Sequence, residues 1–465
     1  MKRKASSAVS SSQDQEEDVR RAAPPPRLVM DDDFLVHEIL PRLSVHAARP
    51  FAATSALFRG VLTDRDYWRA RRPPPGPRAA CLVVRGGRGA RFLHEFHYAD
   101  AASSPRAPAV ARAAAGLLAA YRFAGACDGL VLLTAPWNNR SCARALVFNP
   151  ASGAEETLDL PIDSGRHRSG VFHCFCGLGY SPSSHAYKAL LCAYDAHRSS
   201  MPFVDVELTV ASLGAGAGVR ERRTVAEVRC CRMDGNDVPT SLSLDNKVYI
   251  LVDMGSSETK VLAFDVDDET VTYIEPPPIG QRRSELMEVW GRPCVATGYG
   301  GTTLFWTLMP DHHVWELRGS VAGTVPGSSK VHGAWDCGNG LLFVVFGDGR
   351  GCMYDLQEAA APAPQVGGAA PLPPELRNAT FCWGYQPTLV RPPTAAFGGA
   401  ACPDQLHGLG QFSNCPDRPR KSAAVGRRGC LELLMETIRT LRVATDKRGS
   451  RSKLPRLRTQ VTKKR

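Results

Sequence analysis

Residues 244–278 read LDNKVYILVDMGSSETKVLAFDVDDETVTYIEPPP, and the β character of the chain is plainest here. KVYILVD from Lys247, KVLAFDV from Lys260 and TVTYIE from Thr270 are short runs rich in Val, Ile, Tyr and Phe. Asp, Asn, Gly and Ser separate them, and Pro276, Pro277 and Pro278 end the phrase. β-Branched and aromatic runs bounded by turn formers read as strands.

The same texture runs outward in both directions, from about residue 80 to 393. Upstream lie CLVV from Cys81, GLVLL from Gly129, ALVFN from Ala145, YKALLCAY from Tyr187 and VDVELTVASL from Val204. Downstream lie TLFWTLM from Thr303, HVWELRG from His313, LLFVVFG from Leu341 and GCMYDL from Gly351. A Gly-bounded apolar strand, a loop, a strand ending in a polar turn and often a Pro repeat as one unit. Unit starts near Gly125, Ser241, Gly298 and Gly338 are about 40 residues apart or multiples of that, a period of propeller blades. The expected fold is mainly β: a β-propeller over 80–393 with about six to seven four-stranded blades. One or two β-sandwiches are the competing architecture, which the paired-strand repeat disfavours. Residues 109–121 are Ala-rich and read as a helix or a long loop between strands.

Ahead of the strands, residues 28–72 form a helical module. Asp31, Asp32 and Asp33 offer caps and first-turn carboxylates. Phe34, Leu35, Ile39 and Leu40 recur near helical spacing, and Phe51, Leu57, Phe58, Val61, Leu62, Tyr67 and Trp68 follow. Pro41 and Pro50 limit each helix. Two or three short helices of this kind carry more apolar surface than they can bury among themselves. Residues 1–27 are Ser- and Pro-rich and charged, and are expected to be disordered. Residues 394–428 read as a linker. Residues 429–442 include CLELLMETIRTL, an amphipathic helix with Leu431, Leu434, Met435, Ile438 and Leu441 on one face. Residues 443–465 read as a basic disordered tail.

MDDDFLVHEILPRLS, residues 30–44, resembles the start of an F-box, and SALFRGVLTDRDYWRAR, residues 55–71, is similar to its continuation, with Phe58 at a usual Trp position. Asp31, Pro50, Ser55 and Ala56 depart from the family pattern. ACDGLVLL, LVFNPASGAEETLDLP, CGLGYSPSSHAYKALL, VLAFDVDDETVTYIEPPP and GYQPTLVRP resemble, in order, phrases of plant F-box-associated domains of the grass type. The resemblance implies a non-catalytic substrate-recognition subunit of a Skp–cullin–F-box ubiquitin ligase. Met30, Phe34, Leu35, Ile39, Leu40, Leu43 and Phe58 would then dock on the Skp-type adaptor while the propeller holds a protein target of unknown identity. A non-ligase interaction scaffold with a basic nuclear tail is the alternative, and a glycan-acting propeller enzyme a weaker third.

The chain of 465 residues carries a net charge of +11. From Asp417 onward there are 16 Lys and Arg against 4 Asp and Glu, so the tail holds +12 and the rest is near neutral. Such a tail suits acidic partners, nucleic acid or an import receptor, and equally a solvated tail without a partner; nucleic acid is not the expected partner. No apolar run approaches the roughly 18 residues of a membrane span, and no secretory signal opens the chain, so no membrane partner is expected and residence in nucleus or cytoplasm is. Fifteen cysteines then read as free thiols. His173, Cys174 and Cys176 form the densest thiol–imidazole group, but no second pair follows at zinc spacing. No nucleophile elbow or metal-binding helix occurs. Neither a cofactor nor a metal is expected.

Overall fold

The computed structural model describes residues 32–43, 45–70, 81–85, 94–98, 109–112, 121–135, 142–161, 171–195, 203–213, 220–231, 240–255, 258–277, 286–299, 301–309, 311, 313–322, 331–356, 365, 370–371 and 379–393. Met30, the expected disordered N-terminus at 1–27, the linker at 394–428, the helix at 429–442 and the tail at 443–465 lie outside the described residues. The chain divides into two units between Arg42 and Leu43.

In the first unit a single helical turn, α1 (Asp32–Phe34), widens into a π-helical turn over Leu35–Ile39 and tightens into a 3-10 turn over Leu40–Arg42. The Leu40 amide donates to the Leu35 carbonyl, five residues back. Pro41 has no amide to continue the ladder, so the segment tightens there. Arg42 pairs with Glu38 at 2.8 Å on the exposed side.

The second unit opens with α2 (Val45–Thr54), α3 (Ala56–Thr63) and α4 (Arg65–Ala70). Ser55 caps α3 by accepting from the Leu57 and Phe58 amides. Asp64 caps α4 by accepting from the Asp66 and Tyr67 amides. Leu62 is fully buried, and the Trp68 indole donates to its carbonyl at 2.7 Å.

Strands follow as six four-stranded antiparallel sheets among the described residues, a mainly β, propeller-like architecture. The chain first makes β1 (Cys81–Arg85), β2 (His94–Tyr98) and β3 (Ala109–Arg112). The second sheet is β4 (Arg122–Cys127), β5 (Leu130–Thr134), β6 (Cys142–Phe148) and β7 (Glu155–Pro161). The third is β8 (Val171–Ser181), β9 (Ala186–Asp195), β10 (Phe203–Leu213) and β11 (Arg220–Cys231). The fourth is β12 (Ser241–Leu244), β13 (Lys247–Gly255), β14 (Glu258–Asp265) and β15 (Val271–Ile274), the last three within residues 244–278. The fifth is β16 (Leu286–Val289), β17 (Arg292–Tyr299), β18 (Thr302–Met309) and β19 (Val314–Ala322). The sixth is β20 (Val331–Asp336), β21 (Leu341–Phe346), β22 (Arg350–Asp355) and β23 (Ala370–Pro371). The last strand, β24 (Ala379–Phe381), returns to pair with β1 and completes the first sheet in the order β24-β1-β2-β3. Within 109–121, residues 109–112 are therefore neither helix nor loop: pairing with β2 overrides the helix preference of Ala.

The first strands of successive sheets pack on one another, β4 on β8, β8 on β12, β12 on β16 and β16 on β20. Where they converge, side chains shrink. The Ser241 hydroxyl donates to the Ala124 carbonyl at 3.0 Å, and a Cβ at Gly125 would clash with that hydroxyl. Gly177 and Gly179 face Val248 and Val266 at similarly close range. Gly125→Ala is therefore expected to destabilise the chain by about 1–3 kcal/mol, read as a lower urea midpoint with an unchanged slope.

A polar lock joins the third and fourth sheets. The Asp267 carboxylate accepts from the Ser181 hydroxyl at 2.7 Å and from the Ser183 amide and hydroxyl. Lys188, buried, donates to the Val266 carbonyl and pairs with Glu269, which also meets Arg223. Burial alone would raise the Asp267 pKa, but the serine hydrogen bonds and Lys188 outweigh it and hold the carboxyl below the usual 3.8. A depressed carboxyl contributes stability above its unfolded value and loses it as pH falls through the folded one. Asp267→Asn should accordingly flatten the acid limb of the stability curve below pH 3.8, measured by denaturation at a series of pH values.

Candidate functional site

Two-residue hairpins join the first and second strands of several sheets. Asp128-Gly129, Asp245-Asn246 and Trp290-Gly291 all have both residues at positive φ, the geometry of a type I′ turn. Two of these turns, with Tyr180 near the end of β8, receive helix α4. Arg69 Nε donates to Asp128 Oδ1 at 3.2 Å, and Arg69 Nη1 to Asn246 Oδ1 at 3.2 Å. Arg65 Nε lies 3.5 Å from Asp128 Oδ2, and its guanidinium stacks over the Tyr180 ring. Tyr180 meets Tyr187 edge-on at 5.0 Å. Successive turns of α4 thus place both arginines on one carboxylate, because residues four apart share a helix face.

The electrostatics follow from burial. Asp128's carboxyl is pushed above its ordinary value by desolvation, which outweighs the pull of Arg69 and Arg65. For Arg69 the opposite balance holds: burial lowers its pKa, but Asp128 prevails and raises it. Burial also drives the Cys127 thiol and the Tyr187 phenol up, so both stay protonated. A protonated thiol and an ion-paired carboxylate make an anchor and not an activated nucleophile.

The last described stretch, 382–393, meets the same turn. Thr388 Oγ1 donates to the Asp128 carbonyl at 2.8 Å. Asn149, fully buried after β6, donates through Nδ2 to the Thr388 and Val390 carbonyls at 3.1 and 2.7 Å. Its Oδ1 accepts from the Ala151 and Ser152 amides, which shapes the β6–β7 turn. Within the same stretch, Trp383 stands 5.2 Å from Trp335 of β20, and a Cβ at Gly333 would press on both rings.

The residues expected to dock an adaptor divide between the two units. Phe34 is 50% exposed, Leu35 and Ile39 are partly buried and Leu40 is buried, all in the first unit. Leu43 and Phe58 belong to the second unit, where Phe58 meets Phe51 edge-on at 6.2 Å. His173, Cys174 and Cys176 are core residues, and among the described residues no three His, Cys, Asp or Glu side chains gather as a metal site. No described helix is long and apolar enough to cross a membrane. The sequence marks Asn149 only as a turn former before Pro150, and does not mark Arg65, Arg69, Asp128, Asn246 or Thr388 as site residues. For Asp128 and Asn149 the available signal is Asp-Gly and Asn-Pro turn chemistry, which reads as a turn and says nothing of a partner.

No protein-family profile matches the chain. No curated protein matches it either. Among solved structures it is similar to a candidate 6-phosphogluconolactonase from Bacteroides fragilis, at 10% identity over 65% of this chain and 98% of that one, TM-score 0.32. A periplasmic gluconolactonase from Pseudomonas aeruginosa gives 13% identity over 62% of this chain and 82% of that one, TM-score 0.36. A Lactobacillus plantarum protein gives 11% over 63% and 82%, TM-score 0.36. Two of these proteins are described as lactonases and none as a ligase receptor, so two expectations are corrected: that the chain is a Skp–cullin–F-box ubiquitin-ligase receptor, and that it is not an enzyme. Physically, α4 is tied to a sheet turn, through Arg65 and Arg69 to Asp128. At these identities and TM-scores the likeness brings no reaction to this chain.

Proposed function

We propose that the chain is a protein-binding platform: a closed six-bladed ring with a helix pair mounted on it as a docking surface. One observation carries the reading. Helix α4 is anchored to two sheet turns by Arg65 and Arg69, while α3 leaves Leu57 46% exposed beside the partly buried Phe51, Phe58 and Val61. An apolar face held on a rigid mount can dock without a large ordering cost. The phrases that resemble F-box-associated domains support a shared architecture, since Asp128 of ACDG, Asn149 of FNPASG and Thr388 of GYQPTL meet at the same junction. Return of β24 to β1 supports closure of the ring.

Proximity labelling with the full chain and its Leu57→Asp variant tests the reading. Loss of a defined set of neighbours in the variant, with unchanged circular dichroism and melting, supports it. Identical neighbour sets for the two proteins overturn it. Residence in nucleus or cytoplasm, proposed from the basic C-terminal stretch, is read from a fluorescent fusion in the same cells.

A further inference from the structure

We infer that Cys192 is an oxidation site that closes a disulfide across β8 and β9, with Cys174 or Cys176 as its partner. Cys174 and Cys192 are directly opposed in the register of the two strands. Opposed residues of an antiparallel pair have Cα atoms about 4.5 or 5.5 Å apart, within the roughly 4.4–6.8 Å that a disulfide spans. Their side chains share one core with Cys176, Val206, Leu208, Val248 and Ile250. On that face the next opposed pair, Phe172 and Tyr194, stacks at 5.3 Å, so partners here touch. A bulge between Phe175 and Gly177 shifts the register beside the pair and keeps Cys176 in the same cluster. Among the described strand pairings this is the one place where two cysteines face each other.

The oxidant is hydrogen peroxide. Cys192 sulfur attacks one peroxide oxygen, the O–O bond breaks, and a sulfenic acid and one water result. Cys174 sulfur then attacks the sulfenic sulfur, the S–S bond forms, and the hydroxyl leaves as a second water with the thiol proton. Two thiols lose two electrons and two protons, and the peroxide becomes two waters. Burial and the neighbouring Cys192 raise the Cys174 and Cys176 thiols, so little thiolate exists while the sheet is closed. Oxidation therefore waits on transient opening of the strands and is slow, and the bond once made holds them together.

Peptide mapping under non-reducing conditions, after peroxide treatment of the full chain, tests this. The expected product is a peptide joining Cys192 to Cys174 or Cys176, with amide exchange in β8 and β9 slowed about tenfold. Cys192→Ala should abolish both changes, and Cys294→Ala, in a different core, should leave both intact. Recovery of Cys192 as free thiol or as sulfinic or sulfonic acid, with no linked peptide from the wild-type chain, overturns the inference even if the variants fail to fold.

Discussion

Asp128→Ala should free helix α4 from the sheets and destabilise the chain by about 2–4 kcal/mol. The substitution leaves two guanidiniums, Arg65 at 11% and Arg69 at 33% side-chain exposure, without the carboxylate that both engage. Arg65 keeps Asp66 at 2.6 Å and Arg69 keeps Asn246, so the cost is that of the lost Asp128 contacts, and the partial exposure of Arg69 sets the lower end of the range. Hydrogen exchange resolves the effect by element: α2, α3 and α4 lose protection first, and β13 to β15 last. The combination of Asp128→Leu with Arg65→Met and Arg69→Met removes charge from both sides and should recover most of the loss. If Asp128→Ala leaves exchange in α4 unchanged, the anchor is not what holds the helix.

The second large effect is expected from Asn149→Ala. This side chain donates to the Thr388 and Val390 carbonyls and accepts from the Ala151 and Ser152 amides, all from a fully buried position. Its removal strands carbonyls in a dry interior, worth about 2–4 kcal/mol in sum. Stretch 382–393 should become susceptible to protease, and urea unfolding should lose coincidence between probes of β24 and probes of β13. Unchanged protease resistance there would show that Asn149 does not secure the closing stretch.

Much of the fold was legible because the middle strands of each sheet carry their own signal. KVYILVD and KVLAFDV fall on β13 and β14, and LLFVVFG and GCMYDL on β21 and β22, since strong β-formers sit between turn residues. The innermost strands were harder to read. LMEV of β16 and ATF of β24 are short, and VHGAWD of β20 mixes His, Gly and Asp with its apolar residues. So Gly298 and Gly338, read as unit starts, lie in β17 and in the turn after β20. The pairing of β24 with β1 joins residues almost 300 positions apart, as Leu82 opposite Phe381 shows, and no local pattern encodes it. The anchor was hidden for a similar reason. Arg65 and Arg69 look like an exposed helix face until Asp128 is placed beneath them.

That late return of β24 has a consequence for biosynthesis. A ribosome releases β1 long before it has translated Ala379–Phe381, so one edge of the first sheet waits without its neighbour while five further sheets emerge. During that interval an unprotected strand is open to misassembly with other nascent chains. A premature stop codon anywhere upstream of position 379 would make the exposure permanent. Such products are expected to be cleared by quality control and not to accumulate as partially active molecules.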